Sequence, residues 1–129
     1  MKKVIISESQ YKRLIETEEE QGILEIPNLK IFGKNNGVAW MRLQELLEKR
    51  GNPPYSIGGN LDLENTPIES LGNLTSVGGS LDLIETPIKS LGNLQSVGGY
   101  LDLGGTPISE KYSREEIRQM VNVGGNIYF

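Results

Sequence analysis

The sequence predicts an α/β solenoid, in which a short parallel β-sheet of about five strands carries helical caps at both ends. A twenty-residue segment recurs three times without a gap, as SIGGNLDLENTPIESLGNLT from Ser56, SVGGSLDLIETPIKSLGNLQ from Ser76 and SVGGYLDLGGTPIS from Ser96. In each copy, LDL alternates apolar and polar residues, which is typical of a short strand with one buried face. A fixed period of this length indicates units that bury apolar surface by stacking on one another.

The apolar positions that recur in every repeat are the expected core. They are Leu61, Leu63, Leu81, Leu83, Leu101 and Leu103 in the strands, and Ile68, Ile88, Ile108, Leu71, Leu74, Leu91, Leu94, Val77 and Val97 beyond them. The double glycine before each LDL suits a bend with positive φ or a close approach of two backbones. The Thr-Pro pair after each LDL turns the chain off the sheet, because proline fixes φ and lacks a donor.

We expect three parts along the chain: an N-terminal helical cap with a diverged first strand at 1–54, the three repeats at 55–109, and a C-terminal capping helix with the last strand at 110–129. The diverged strand is NLKIF at 28–32, and VAWMRLQELLEKRG reads as a helix that ends at Gly51. Trp40 of this helix is expected to cover the N-terminal end of the solenoid. An earlier helix is indicated by SESQ at 7–10 and by the apolar residues Tyr11, Leu14 and Ile15.

The C-terminal segment contains a helix signal followed by a disguised strand. SREE at 113–116 is a capping box, and the helix that it starts should turn Ile117, Met120 and Val121 inward. NVGGNIYF at 122–129 matches SVGGYLDL, so that Ile127 and Phe129 take the leucine places. Residues 126–129 are therefore expected to form the final parallel strand.

The repeats at 55–109 resemble the leucine-rich repeat family, whose unit is L-x-x-L-x-L-x-x-N-x-L. LTSVGGSLDL is similar to the receptor L-domain variant, and GNPPYSIGG is similar to segments of phage and marine-metagenome proteins. The family's inward asparagine is replaced by Thr86 and its equivalents, so those threonines, or Asn73 and Asn93, would have to link adjacent repeats. The structural alternative is a β-helix with three sheets.

Composition narrows the function. The chain has no cysteine, which excludes disulfides, and no histidine, which removes the commonest general base and metal ligand. The net charge of −4, with an acidic run at 16–20, argues against nucleic acid as a partner. No stretch is long enough to span a membrane. We expect a cytoplasmic, non-enzymatic protein without metal or cofactor.

Two motifs could in principle carry chemistry. The VGGN and VGGS glycines precede a strand rather than a helix, so they do not match a phosphate-binding loop. Asp62, Asp82 and Asp102 should form a column, with neighbours about 5 Å apart. Such a column could serve a hydrolase or bind calcium, but the denser oxygen ligands of calcium-binding repeats are absent. We expect these aspartates to point to solvent.

The exposed face of the sheet is the expected binding site, as it usually is in the family that the repeats resemble. Its candidate residues are Asn60, Asp62, Glu64, Ser80, Asp82, Ile84, Tyr100, Asp102 and Tyr128. An acidic strip with tyrosines suits a basic segment of another protein. The main alternative is a self-associating or virion-type building block that forms a homodimer through residues 126–129. A hydrolase that uses the aspartate column is the remote alternative.

Overall fold

The computed structural model describes residues 23–129, so the helix expected around Ser7–Ile15 lies outside the described residues. Within residues 23–129, nine short strands and three α-helices follow one another, with a 3₁₀ helix at Leu29–Phe32. The strands are β1 Leu24–Ile26, β2 Tyr55–Ile57, β3 Leu61–Asp62, β4 Leu74–Val77, β5 Leu81–Asp82, β6 Ser96–Val97, β7 Leu101–Asp102, β8 Asn122–Val123 and β9 Ile127–Tyr128. The helices are α1 Asn36–Glu48, α2 Pro107–Lys111 and α3 Arg114–Met120. None of the helices in the described part is long and apolar enough to cross a membrane.

The strands form two parallel sheets, not the single sheet that the sequence predicts. Sheet A has five strands in the order β1-β2-β4-β6-β8, and sheet B has four in the order β3-β5-β7-β9. The repeat sets the register of both, since Val77 pairs with Val97 in sheet A and Leu81 pairs with Leu101 in sheet B. Val77 and Val97, which the sequence predicts as core residues beyond the strands, lie in strands of their own, β4 and β6.

The double glycines separate the two strands of each repeat. At Gly98, a Cβ would fall inside the contact distance of the Gly78 carbonyl oxygen, and the same holds at Gly78 over Gly58. Neither glycine has a positive φ. Close approach of stacked backbones is therefore the reason for glycine here, and positive φ is not.

The recurring apolar positions form the core. The strand leucines 61, 63, 81, 83, 101 and 103 are fully buried, and Ile68 packs half-buried against them. Two expectations at the C-terminal end are wrong. Met120 and Phe129 are 48% and 39% exposed, because α3 turns only Ile117 into the core and β9 ends before Phe129.

The N-terminal end also differs from the expected one. In place of the expected strand at 28–32, residues Leu29–Phe32 form a 3₁₀ helix, because the side chain of its N-cap residue Asn28 accepts from the Lys30 N–H. The first strand is β1, which pairs with β2. Trp40 of α1 is buried as expected, with its ring centroid 6.4 Å from that of Tyr55. The Tyr55 hydroxyl donates to the Leu71 carbonyl oxygen at 2.8 Å.

At the C-terminal end, two arginines of α3 bind the outer edge of both sheets. Arg118 donates to the carbonyl oxygens of Val123 and Gly125 at 3.1 and 2.8 Å, and Arg114 donates to that of Ile127 at 2.9 Å. In the preceding repeat, the carbonyls of Val97 and Gly99 accept from the N–H groups of Gly124 and Gly125. The arginines therefore occupy acceptors that a further repeat would use. The homodimer through residues 126–129, which would need a free edge at this end of the sheets, stays a prediction.

Asparagine side chains in the SLGNL segments link one repeat to the unit before it. Asn93 donates to the Asn73 side-chain oxygen at 2.8 Å, and Asn73 donates in turn to the Asn52 carbonyl oxygen. The buried Thr86 instead donates to the Leu83 carbonyl oxygen at 2.8 Å, inside its own repeat. The sequence suggests either the threonines or Asn73 and Asn93 as the links between adjacent repeats. Asn73 and Asn93 make such links, whereas Thr86 bonds within its own repeat.

Candidate functional site: the outward face of sheet B

The nine candidate residues lie together on sheet B and on the turns that follow its strands. The strand pairing places Asp62, Asp82, Asp102 and Tyr128 in one row, because each residue pairs with the next. The other candidates flank this row: Asn60, Ser80 and Tyr100 precede it, and Glu64 and Ile84 follow it. None of the nine is buried, so the structure places all of them on one accessible face.

The aspartate row has a structural role in addition to its charge. The carboxylate oxygen of Asp82 accepts from the Ile84 N–H at 3.1 Å, and Asp62 and Asp102 accept in the same way from the residue two positions on. Each aspartate thus closes the turn at the end of its strand. Neighbouring strands lie about 4.8 Å apart, so the carboxylates repel one another.

Burial and charge both act on the central carboxyl group of this row. Partial burial raises the pKa of Asp82, and the hydrogen bond from the Ile84 N–H opposes that rise. The negative charges of Asp62, Glu64 and Asp102 raise it further. Negative potential is therefore concentrated at the middle of the row, where a cation on a partner would relieve it.

A second row precedes the aspartates and consists of Asn60, Ser80 and Tyr100. Its first two members bond to the next repeat, and its third projects from the face. The Asn60 side-chain oxygen accepts from the Ser80 N–H at 2.8 Å, and the Ser80 hydroxyl accepts from the Tyr100 N–H at 3.0 Å. Asn60 and Ser80 thus each bridge to the next repeat. Tyr100 stands at the equivalent place but projects 40% exposed from the face.

Tyr100 and Tyr128 pack edge to face, with ring centroids 5.7 Å apart and planes at 70°. Tyr128 is 45% exposed, and its hydroxyl accepts from the Asn126 side chain at 3.2 Å. Partial burial raises the pKa of Tyr100, and the charges of Asp82 and Asp102 raise it further. The pair forms a rigid aromatic corner beside the acidic row. Asn126 supports this corner through its hydrogen bond to Tyr128. The only sequence signal for Asn126 is its position in the C-terminal segment that matches SVGGYLDL.

One further polar pocket adjoins the face at β3. It encloses about 270 Å³ between the 3₁₀ helix and the first strand of sheet B, with Asn28, Lys30 and Asn36 facing Asn60 and Asp62. Lys30 thus adds a positive charge at one end of an acidic face. The sequence gives no signal for this placement, because it depends on the 3₁₀ helix that replaces the expected strand.

The carboxylates of the face form a row across the strands of sheet B. Within residues 23–129, no three His, Cys, Asp or Glu side chains are grouped so that they could hold a metal ion. One carboxylate oxygen of each of the three aspartates accepts the hydrogen bond that closes its turn. Comparison of the chain with protein-family models, curated proteins and solved structures gives no match. The geometry of the face therefore carries the functional argument.

Proposed function

We propose that the chain is a non-enzymatic protein-binding module: a short solenoid of the leucine-rich repeat type that binds a basic, extended segment of another protein on the outward face of sheet B. A cationic side chain of the partner would lie along Asp62, Asp82 and Asp102. The Tyr100–Tyr128 corner would pack against its aliphatic or guanidinium portion.

The observation that carries this proposal is the pair of exposed tyrosines beside the acidic row. The fold does not require an aromatic ring at position 100, because Asn60 and Ser80 fill the same place with small polar side chains that bridge to the next repeat. Tyr100 forgoes that bridge and instead packs on Tyr128 at the surface. Tyrosine is enriched in protein interfaces because it offers a large, rigid contact with a polar tip.

The alternatives receive less support from the geometry. Self-association through β9 would require a second strand to displace Arg114 from the Ile127 carbonyl oxygen. A hydrolase would require one aspartate to leave its turn hydrogen bond and act as a base. No observation on the face favours either function over binding.

A peptide-display selection against the full chain tests the proposal. Extended peptides rich in Arg and Lys should be enriched, and their affinity should fall with added salt, because screening weakens charge pairing. Changing Asp62, Asp82 and Asp102 to Asn together should weaken binding about tenfold, since each lost charge pair at an exposed interface contributes about 0.5 kcal/mol. Tyr100→Ser should weaken it further.

The matched control neutralises three glutamates elsewhere, as Glu45→Gln, Glu69→Gln and Glu48→Gln on and near α1. This variant has the same net charge as the triple aspartate variant, and it should retain binding of the selected peptides. If both triple variants lose affinity equally, the interaction follows net charge alone. Selection of acidic or purely apolar peptides that ignore the aspartate changes would refute the proposal.

A further inference from the structure

Sheet B has one strand fewer than sheet A, and the difference lies at the N-terminal end. Sheet A begins with β1, whereas sheet B begins with β3. The chain starts a further repeat at this end, since the Gly58 N–H donates to the Ile26 carbonyl oxygen at 2.7 Å and Pro27 lies against Gly58. It then leaves the path of the repeats as the 3₁₀ helix. Within the described residues, no strand therefore pairs with the outer side of β3.

The outer side of β3 carries carbonyl groups that the other strands of sheet B use for pairing. In the second repeat, three carbonyl oxygens accept from backbone N–H groups of the first repeat, namely those of Ser80, Asp82 and Ile84. The equivalent carbonyls in the first repeat belong to Asn60, Asp62 and Glu64. No backbone N–H of residues 23–129 donates to any of these three. They are acceptors that one more parallel strand would use.

The two ends of the sheets differ in how their edges are covered. At the C-terminal end, Arg114 and Arg118 donate to the outward acceptors. Beside β3, the corresponding space is a polar pocket of about 270 Å³. Its polar lining residues are Asn28, Lys30, Asn36, Asn60 and Asp62. The volume is near the lower end of the range of about 300–1,000 Å³ for ligand sites, and it suits a short segment because β3 is itself only two residues long.

Charge distinguishes between the possible occupants of this edge. Asp62 and Glu64 are both exposed at the outer side of β3. A second copy of the chain, paired β3 to β3, would bring these carboxylates to about 5 Å from their own equivalents, which is destabilising. Lys30 balances one of the two carboxylates from the 3₁₀ helix and leaves the other for a partner. A strand of another protein with Lys or Arg in register with Asp62 would place opposite charges side by side.

We infer that β3 binds an extended segment of another protein as an added parallel strand. The N–H groups of the two segment residues that flank its Lys or Arg donate to the carbonyl oxygens of Asn60 and Asp62. Leu61 and Leu63 donate to the next repeat in the same way. The flanking side chains point toward Leu29 at the inner wall of the pocket, which leaves room only for small residues.

This inference does not rest on the proposed function. It concerns main-chain groups at one edge of sheet B, whereas the Tyr100–Tyr128 corner belongs to the last two strands at the other end of that sheet. The two sites can therefore be changed separately.

A counter-selected peptide library tests the inference. The probe is a display library of heptapeptides with a central Arg between two small residues, selected on the full chain and then depleted on Asn36→Arg. In that variant the new side chain fills the pocket and offers donors to the β3 edge, as Arg114 does at β9. The remaining peptides should bind Asn36→Arg about tenfold more weakly than the unmodified chain, because main-chain hydrogen bonds are lost.

Two control variants separate this edge from net charge and from the proposed binding face. Gln119→Arg adds the same charge on the exposed side of α3, and it should bind the remaining peptides as the unmodified chain does. Tyr100→Ser with Asp102→Asn changes the face but not the β3 edge, and it should also retain them.

Methylation of single peptide amides distinguishes main-chain pairing from side-chain binding. N-methylation of either residue next to the central Arg should weaken binding about tenfold, because each N–H donates to β3. N-methylation of the Arg itself should be tolerated, since its N–H points away from β3. Equal losses at all three amides would overturn the inference, and so would a library with no peptide that distinguishes the chain from Asn36→Arg. Remaining peptides that lose affinity for Tyr100→Ser with Asp102→Asn would also overturn it, but they would leave the proposed function standing.

Discussion

The guanidinium of Arg118 donates to the carbonyl oxygen of Val123 at 3.1 Å, so a helix that precedes the last repeat closes the strand that follows it. The same side chain reaches the Gly125 carbonyl oxygen at 2.8 Å. An exposed strand edge is a template for pairing with other chains, and a fixed cation on its acceptors is one way to block it.

Arg118→Ala should lower the free energy of unfolding by about 1–3 kcal/mol, because two charge-assisted hydrogen bonds are lost and their acceptors are left to water. Urea unfolding followed by circular dichroism measures the change. Gln119→Ala, at the next and exposed position of α3, is the control and should be nearly neutral. Light scattering should show association that rises with concentration in Arg118→Ala but not in Gln119→Ala. An Arg118→Ala variant as stable and as monodisperse as its control would contradict this role.

Tyr55→Phe should destabilise the fold by about 1–3 kcal/mol, since it removes a buried hydroxyl and leaves two partners unpaired. The hydroxyl donates to Leu71 and accepts from the Gln44 side chain at 2.9 Å. Tyr112→Phe, at a half-buried tyrosine, serves as the control and should cost less. Thermal unfolding at neutral pH is sufficient to measure both.

The same tyrosine predicts a loss of stability at alkaline pH. Burial raises the pKa of Tyr55 well above its ordinary value of 10.0, although the hydrogen bond from Gln44 opposes that rise. The folded state therefore keeps a proton that the unfolded chain releases, so stability is fully present below about pH 10 and falls as pH rises above it. Tyr55→Phe should flatten this alkaline limb. An equally steep limb in that variant would assign the effect to other groups.

Gly98→Ala should lower stability by about 3 kcal/mol, because its methyl group would be forced against the Gly78 carbonyl oxygen and the stacked corners would have to separate. Gly51→Ala distinguishes this steric effect from backbone strain. At Gly51 nothing lies within 4 Å of the added Cβ, and only a φ of 78° opposes alanine. That control should cost about 1–2 kcal/mol. Similar losses at both positions would argue against the close-approach explanation.

Glu85→Asn should stabilise the chain by about 0.5–1 kcal/mol. Glu85 has a φ of 57°, and the equivalent positions of the other repeats are Asn65 and Gly105, whose φ values are 61° and 72°. Asparagine tolerates this left-handed conformation better than glutamate does. Glu69→Asn, which removes the same charge at a residue without positive φ, should give no such gain in a thermal melt.

Asp82→Asn should leave the fold intact and raise stability by about 0.5 kcal/mol at neutral pH. The asparagine oxygen can still accept from the Ile84 N–H, while repulsion from the neighbouring carboxylates disappears. Because the pKa of Asp82 is raised in the folded state, its penalty is present at neutral pH and is relieved as pH falls through that pKa. The gain of Asp82→Asn should therefore shrink in mildly acidic buffer. Asp82→Ala lacks the acceptor and should show a net loss.

The repeat was enough to predict the strands of sheet B and their register, because LDL alternates cleanly and its spacing is constant. It was not enough for sheet A. At Ser96–Val97 a single buried valine gives no alternation to detect, whereas each LDL has a buried leucine on both sides of its aspartate. NLKIF imitates a strand pattern, but the Asn28 side chain captures the Lys30 N–H and stabilises a 3₁₀ turn instead.

The positions of the candidate residues follow from the sequence more directly than the contacts around them do. Outward positions follow directly from the alternation, so all nine candidate residues lie on one face. The aspartate hydrogen bonds were also within reach, since an aspartate two residues before a turn N–H commonly closes that turn. The arginine contacts at the far edge could not be predicted, because they depend on the path by which α3 returns over strands that come later in the chain.

The stacked double glycines allow the number of repeats in this molecule to change by one complete repeat at a time. At Gly78 and Gly98, one backbone rests on the backbone of the preceding copy, and the same pairing recurs at each step. A duplicate of residues 76–95 placed before Ser96 would make the same strand pairs and glycine contacts with the repeats on both sides. The arginines of α3 would still cover the last strands. Each such duplication would widen the acidic row by one aspartate and about 4.8 Å. The span of a bound segment could therefore evolve by copying, without redesign of either end.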